Sequence, residues 1–151
     1  MVKGKTTDRR SHCPISVALE IFGDRWSLLI IRDMLLLGKT TYGEFLESDE
    51  GIATNILADR LQRLEALKII ESRQDPDNRR RTVYKVTAKG CDLAPVLVEI
   101  ILWSAKHQPP PVCPETVEVR KRLASFTKRA RADRDALIQE IRHRFERATA
   151  G

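Results

Sequence analysis

The side chains best suited to chemistry lie on one predicted helix that follows Gly51. If Leu57 marks its buried direction, an advance of about 100° per residue places Leu61 and Leu64 on the same side. Polar groups then fall on the opposite side and its flanks, where they can pair with the edges of nucleic-acid bases. Asn and Gln can bind adenine through two hydrogen bonds, and Arg can do the same to guanine. The candidate contact residues are Thr54, Asn55, Ala58, Asp59, Gln62 and Arg63.

A second cluster lies between two runs rich in β-branched residues. Residues 69–73 and 82–86 predict two strands, and the sequence Asp75-Pro76-Asp77-Asn78 predicts a turn between them. Consecutive arginines after that turn can straddle phosphates or enter a minor groove. A solubilising loop tip is the alternative, as an ordinary solvated face is for the helix. The candidate DNA contacts in this hairpin are Arg79, Arg80, Arg81 and Lys85.

Four helices are predicted before the hairpin, and the fourth carries the first group of candidate contacts. Pro14 suits the first turn of a helix that ends at Gly23. Asp24 can cap a second helix, which Gly38 closes and which is apolar on nearly all sides, so we expect it to be central. The third helix can be capped by Thr40 or Thr41, and the fourth starts at Thr54 or Ala53.

One more helix follows the hairpin. Thr87 can cap it, and its apolar stripe continues to about His107. Pro95 falls inside this stretch, where it predicts either a kink or the first turn of a new helix. Four helices, two strands and a helix in this order predict a mostly helical α+β fold, a winged helix-turn-helix with a two-stranded wing.

The chain divides into four predicted segments. Residues 1–12 form a flexible basic arm, and residues 13–107 form the winged helix domain for DNA binding and dimerisation. A proline-rich linker covers 108–114, and a helical extension covers 115–151. The apolar stripe of the extension predicts packing on a partner subunit or on the last winged-helix helix. Added phosphate contact or a protein-binding platform is the alternative role.

Composition limits the class of protein. The 151 residues carry a net charge of +6 with 42% hydrophobic and 32% charged residues, which is typical of a folded globular chain. A basic balance is compatible with a polyanion partner, although a solvated basic surface is as common. No apolar run approaches the roughly 20 residues that span a bilayer, and no signal peptide pattern is visible. We therefore expect no membrane partner and a cytoplasmic location.

The three cysteines are Cys13, Cys91 and Cys113, and their wide spacing argues against a structural zinc site or a disulfide framework. Cys13 precedes Pro14 at a helix start, where the helix dipole lowers the pKa of a thiol. It is either a redox sensor or a small residue packed at a dimer seam. The sequence has no nucleophile–base arrangement and no phosphate-binding loop, so we expect no enzyme, no metal and no cofactor.

The order of several motifs resembles the HxlR-type bacterial transcription regulators over roughly residues 12–107. The opening of that family is similar to Cys13-Pro14, Ala18-Leu19, Gly23, Trp26, Leu29-Ile30, Arg32 and Leu35. Further matching segments are Tyr42-Gly43-Glu44-Phe45, then Gly51-Ile52-Ala53-Thr54 with Leu57, Leu61, Leu64-Glu65 and Leu67, and finally the run from Val83 to Gly90.

The resemblance implies a homodimer that binds a double-stranded DNA operator and regulates nearby genes. Some relatives sense thiol-reactive electrophiles through a cysteine at the position of Cys13, so a small-molecule or electrophile effector is implied too. The chain departs from the family pattern after Pro114. A winged helix used for protein–protein contact, without specific DNA binding, is the alternative function.

Overall fold

The computed structural model describes residues 11–107 and 117–149. The predicted basic arm and proline-rich linker lie almost entirely outside these ranges, as does Cys113. The helices are α1 (Pro14–Phe22), α2 (Ser27–Leu35), α3 (Tyr42–Leu46), α4 (Thr54–Ala66), α5 (Ala88–Cys91), α6 (Ala94–His107), α7 (Val117–Ala132) and α8 (Arg134–Thr149). The strands are β1 (Ile70–Gln74) and β2 (Thr82–Val86).

The two strands form an antiparallel hairpin in which Ile70 lies opposite Val86. A bridge between Thr41 and Val83 extends this sheet toward α3, and the Tyr84 amide donates to the Thr40 carbonyl at 2.7 Å. Strand β1 begins one residue later than the sequence predicts. The Ile69 carbonyl instead accepts from the Thr87 amide at 3.0 Å, which joins the start of the hairpin to its end.

The core lies where α2, α4 and the hairpin meet. Leu57, Leu61 and Leu64 of α4 are each no more than 2% exposed, and they pack with Ile31 of α2 and Phe45 of α3. Apolar residues spaced three and four apart along α4 therefore fasten it to the body of the domain and leave its other face outward. This burial fixes which side of α4 is available to a partner.

The helix after the hairpin is interrupted, so the alternative prediction for Pro95 is correct and the kink is wrong. Helix α5 ends at Cys91, and α6 restarts at Ala94 with Pro95 in its first turn, where a missing amide hydrogen costs little. Gly90 is required before the break. A Cβ there would lie 2.2 Å from the Ile69 carbonyl oxygen, so α5 can approach the hairpin closely only with glycine.

Helices α7 and α8 form a hairpin that packs on α5 and α6. Phe126, Leu137 and Ile141 join the main core. Of the two packing partners that the sequence predicts for the extension, the last winged-helix helix is therefore confirmed. Ionic contacts reinforce this interface, with Arg134 Nε 2.9 Å from Glu99 Oε1. Within residues 11–107 and 117–149, no helix has both the length and the apolarity to cross a membrane.

Candidate nucleic-acid interface

Helix α4 presents a continuous polar surface opposite its leucines. Its N-cap residue is Ala53, whose side chain cannot accept a hydrogen bond, so the amides of its first turn receive no side-chain cap. Tyr42 Oη donates to the Thr54 carbonyl at 2.7 Å and holds this end of α4 against α3. All of the residues predicted on this face are exposed, namely Thr54, Asn55, Ala58, Asp59, Gln62 and Arg63.

Two of these exposed side chains are engaged within the chain. Asp59 accepts a hydrogen bond from Arg60 Nη1 at 2.9 Å. Arg63 Nη2 donates to the Glu20 carbonyl in α1. Arg60 itself is half-buried, with Nε 3.1 Å from Asp24 Oδ1. This cluster ties the middle of α4 to the start of α2 and the end of α1.

The turn between α3 and α4 is fixed by a charged network that the sequence reasoning missed. Asp33 in α2 is 2% exposed and accepts from Lys39 Nζ at 3.1 Å and from Arg32 Nε at 2.9 Å. Ser48 also donates its hydroxyl to Asp33. Arg32 Nη1 donates to Glu50 at 2.5 Å, and this bond is the main cause that lowers the pKa of the Glu50 carboxyl. Paired charges therefore hold both ends of the short turn that leads into α4.

The wing loop is shaped by Asp75, which is 5% exposed. Its carboxylate accepts from the Asp77 amide at 2.9 Å and from Arg81 Nε at 2.6 Å, and these bonds hold its pKa below the usual range. Arg81 is thus engaged in the loop itself. Arg79 and Arg80 are exposed at the tip of the wing, and their charges are available to a ligand.

Lys85 differs in position from the three arginines of the loop. It lies on β2 opposite Glu71 of β1 and is half-buried. The predicted wing residues therefore fall into three environments: an exposed tip, a loop ion pair and the strand. Charge at the tip is the part of the wing most accessible to phosphate.

Cys13 is the exposed N-cap residue of α1. Hydrogen bonds from the backbone amides of Ser16 and Ile15 lower the pKa of its thiol. This is the effect expected for a thiolate at a helix N-terminus. Cys91 is the opposite case, because it is 3% exposed in α5 and burial raises the pKa of its thiol.

Two helices carry apolar side chains that the described chain leaves uncovered. Helix α1 contains no buried residue, and its Ile15 and Leu19 are 72% and 57% exposed. On α6, Ile100 and Trp103 are 46% and 61% exposed. Apolar side chains of this size that the chain itself does not cover are candidates for contact with a partner.

Sequence reasoning found the exposed face of α4 and the wing because both follow local patterns. It missed Arg32, Asp33, Glu50 and Arg60, whose partners lie far along the chain. An Arg-Asp pair at the end of an otherwise apolar helix was a usable signal, because charges in a buried helix require partners.

Comparison with known proteins agrees with this architecture. A family model for the HxlR-like helix-turn-helix matches residues 21–111. YodB of Bacillus subtilis, named an HTH-type transcriptional regulator, is 33% identical over 106 residues, which cover 68% of this chain and 94% of YodB. The HTH-type transcriptional regulator sll1512 of Synechocystis is 34% identical over 86 residues, which cover 57% of this chain and 63% of that relative.

Solved structures share the fold. The crystal structure of PA1607 aligns with a TM-score of 0.63 and 33% identity, covering 74% of this chain and 76% of PA1607. The reduced form of the B. subtilis regulator YodB aligns with a TM-score of 0.53 and 30% identity, covering 67% of this chain and 99% of YodB. With an exposed polar α4, a two-stranded wing and this match over residues 21–111, the chain belongs to the HxlR-like helix-turn-helix family.

Proposed function

We propose that this protein is a transcriptional regulator that binds a specific operator in double-stranded DNA as a homodimer. The observation that carries the proposal is the exposed polar face of α4 next to a wing whose tip bears Arg79 and Arg80. A helix of this kind fits the major groove, and a basic hairpin beside it can hold the adjacent backbone. The names of the curated relatives support the same function.

Within α4, each exposed side chain has a distinct proposed role. Asn55 and Gln62 can each bind adenine through two hydrogen bonds, and the Ala58 methyl can contact a thymine methyl. Thr54 lies in the uncapped first turn, where backbone amides favour a phosphate. Asp59 accepts from Arg60 through one carboxylate oxygen, and its other oxygen can accept from cytosine.

In the wing, we propose that Arg79 and Arg80 neutralise phosphates. Arg81 contributes mainly by holding the loop through Asp75, and Lys85 adds charge on the strand behind the tip. Counterions are released when phosphates are neutralised, so binding weakens as salt rises. The wing then supplies sequence-independent affinity, while α4 supplies discrimination between bases.

The homodimer is proposed from the uncovered apolar side chains of α1 and α6. Burial of Ile15, Leu19, Ile100 and Trp103 in both copies would remove a large apolar surface from water. A two-fold dimer presents two copies of α4, and successive major grooves on one side of DNA lie about 34 Å apart. The operator is therefore proposed to be a pseudo-palindrome. Contact with chromosomal DNA implies a cytoplasmic location.

Cys13 is proposed as the sensor residue for a thiol-reactive electrophile or an oxidant. It is exposed, it has a lowered pKa, and it begins the helix proposed to form the dimer seam. Modification of Cys13 would alter the seam and so change the separation of the two α4 helices. The structure of the relative YodB has been solved in a form described as reduced, which supports the proposal of thiol chemistry in this chain.

Measured affinity for a selected operator tests the proposal. Gln62→Ala should weaken binding by about tenfold or more, because one good base contact contributes about 1–3 kcal/mol. Gln139→Ala is the matched control, since Gln139 is exposed on α8 and outside the proposed interface. Equal affinities of wild type, Gln62→Ala and Gln139→Ala would overturn this assignment of α4.

A further inference from the structure

Arg63 joins two helices with different proposed tasks. It lies on the flank of α4, and its guanidinium Nη2 donates to the carbonyl of Glu20 in α1. The two residues are 43 positions apart in the chain, so this bond is a tertiary contact. Arg63 is exposed, yet its donor is directed at the chain's own backbone.

The end of α1 explains why a cation is needed there. The last carbonyls of a helix have no amide partner within it, and they form the negative end of the helix dipole. Gly23 donates to the Leu19 carbonyl at 2.7 Å, which satisfies one of these acceptors. Helix α1 has no basic residue in its own last turn. Arg63 therefore supplies from α4 the positive charge that α1 lacks.

The contact falls beside the uncovered apolar face of α1. Leu19, 57% exposed, directly precedes the Glu20 whose carbonyl Arg63 contacts. A helix that packs on a second subunit through Leu19 would thus be tied, one residue away, to the helix that enters the groove. The bond connects the dimer seam to the DNA-reading element without an intervening loop.

We infer that Arg63 is a positioning residue, which sets the angle of α4 relative to the dimer seam and thereby the spacing of half-sites that the dimer accepts. The inference rests on the proposed function. It gives Arg63 a different role from the base contact that its place on α4 predicts. A base-reading arginine acts within one half-site, whereas a positioning residue acts on the relation between two half-sites.

This difference defines the experiment. Affinities are measured for duplexes that carry the selected operator, a single half-site, or two half-sites moved apart or together by one base pair. Arg63→Ala should weaken binding to the intact operator by about threefold to tenfold, the effect of losing one hydrogen bond of an exposed side chain. Its half-site affinity should stay unchanged, and its preference among spacings should flatten. Gln62→Ala, as a comparator, should weaken binding to the half-site as well as to the operator.

Weakening of half-site binding by Arg63→Ala, or relaxed base preference at one position, would overturn the inference and restore Arg63 as a base contact. Arg63→Lys keeps a cationic donor and should retain the spacing preference. A folded Arg63→Lys variant that has lost this preference would also overturn the inference. Thermal unfolding establishes that each variant is folded. If wild type itself prefers no duplex, the proposed function fails first, and that outcome is visible before any variant is measured.

Discussion

Arg32 in α2 and Glu50 in the turn before α4 are joined by two hydrogen bonds, of 2.5 and 3.1 Å. The guanidinium of Arg32 also contacts Asp33, so one arginine links a buried carboxylate to the surface of the turn. Glu50 would otherwise place an unpaired negative charge beside the start of α4, where phosphate is expected. Pairing with Arg32 removes that conflict and fixes the turn.

Glu50→Gln should lower the free energy of unfolding at pH 7 by about 1–2 kcal/mol, because the carboxylate that pairs with Arg32 becomes a neutral amide. The folded pKa of Glu50 is lowered, so the ionised form contributes stability that is fully present above the unfolded pKa of about 4.3. That contribution is lost as pH falls through the folded pKa. Urea unfolding at several pH values should show the difference from wild type shrinking below about pH 4.

Glu47→Gln is the matched control for this pH series, because Glu47 is exposed in the same connection between α3 and α4. It should unfold like wild type across the whole range. A difference between Glu50→Gln and wild type that stays constant with pH would contradict the assigned role of the ion pair.

Neighbouring arginines in the wing should behave differently on substitution. Arg80→Ala should reduce the slope of log affinity against log salt by about 1, as expected for the loss of one phosphate contact. Arg81→Ala should reduce that slope less and instead destabilise the loop, since Arg81 is paired with Asp75. Titrations of the operator at several salt concentrations, with thermal unfolding of both variants, separate the two effects. Identical slopes for the two variants would contradict this division.

Trp103→Ala should weaken self-association by about 100-fold, because buried tryptophans commonly dominate the energy of an interface and both subunits lose one. Analytical ultracentrifugation over a concentration series measures the dimer dissociation constant directly. Lys106→Ala, at an exposed charged position on the same helix, should leave it unchanged. A dimer of unaltered strength in Trp103→Ala would move the interface away from the exposed face of α6.

Cys13 should react with an alkylating agent well before Cys91 in the folded protein. The lowered pKa of Cys13 means more thiolate at neutral pH, whereas burial raises the pKa of Cys91 and shields it. Brief alkylation followed by mass spectrometry measures both sites, in a Cys113→Ser background that leaves only these two thiols. As the pH is lowered, alkylation of Cys13 should also persist to a lower pH than alkylation of Cys91. Faster labelling of Cys91 would contradict the exposed thiolate.

Local signals explain how much of the fold could be predicted. The bounds of α1, β2 and the start of α4 follow from residues close in sequence, such as Pro14, Gly23 and the leucine spacing of α4. Strand β1 begins one residue later than predicted, because the tertiary contact between Ile69 and Thr87 decides where pairing begins. The sequence around Pro95 predicted either a kink or a new helix. The structure has the new helix, and Gly90 just before the break lies close to the hairpin.

The sequence predicts which residues of the candidate interface are exposed, but not which contacts hold the interface in place. A helical wheel identifies which residues of α4 are exposed, since it needs only the spacing of Leu57, Leu61 and Leu64. It cannot reveal that Arg63 contacts Glu20 or that Arg32 contacts Glu50, because those bonds depend on how helices pack. Long-range pairs of charges are the part of this domain that required a structure.

Selection of duplexes from a random pool by the purified protein, at about 0.1–0.2 M salt with and without a thiol oxidant, tests the central claim most directly. The proposed dimer should enrich an inverted repeat whose half-sites are centred about one helical turn apart. Enrichment of no sequence above the starting pool, in either redox condition, would contradict the assignment of α4 and the wing as an operator-binding surface.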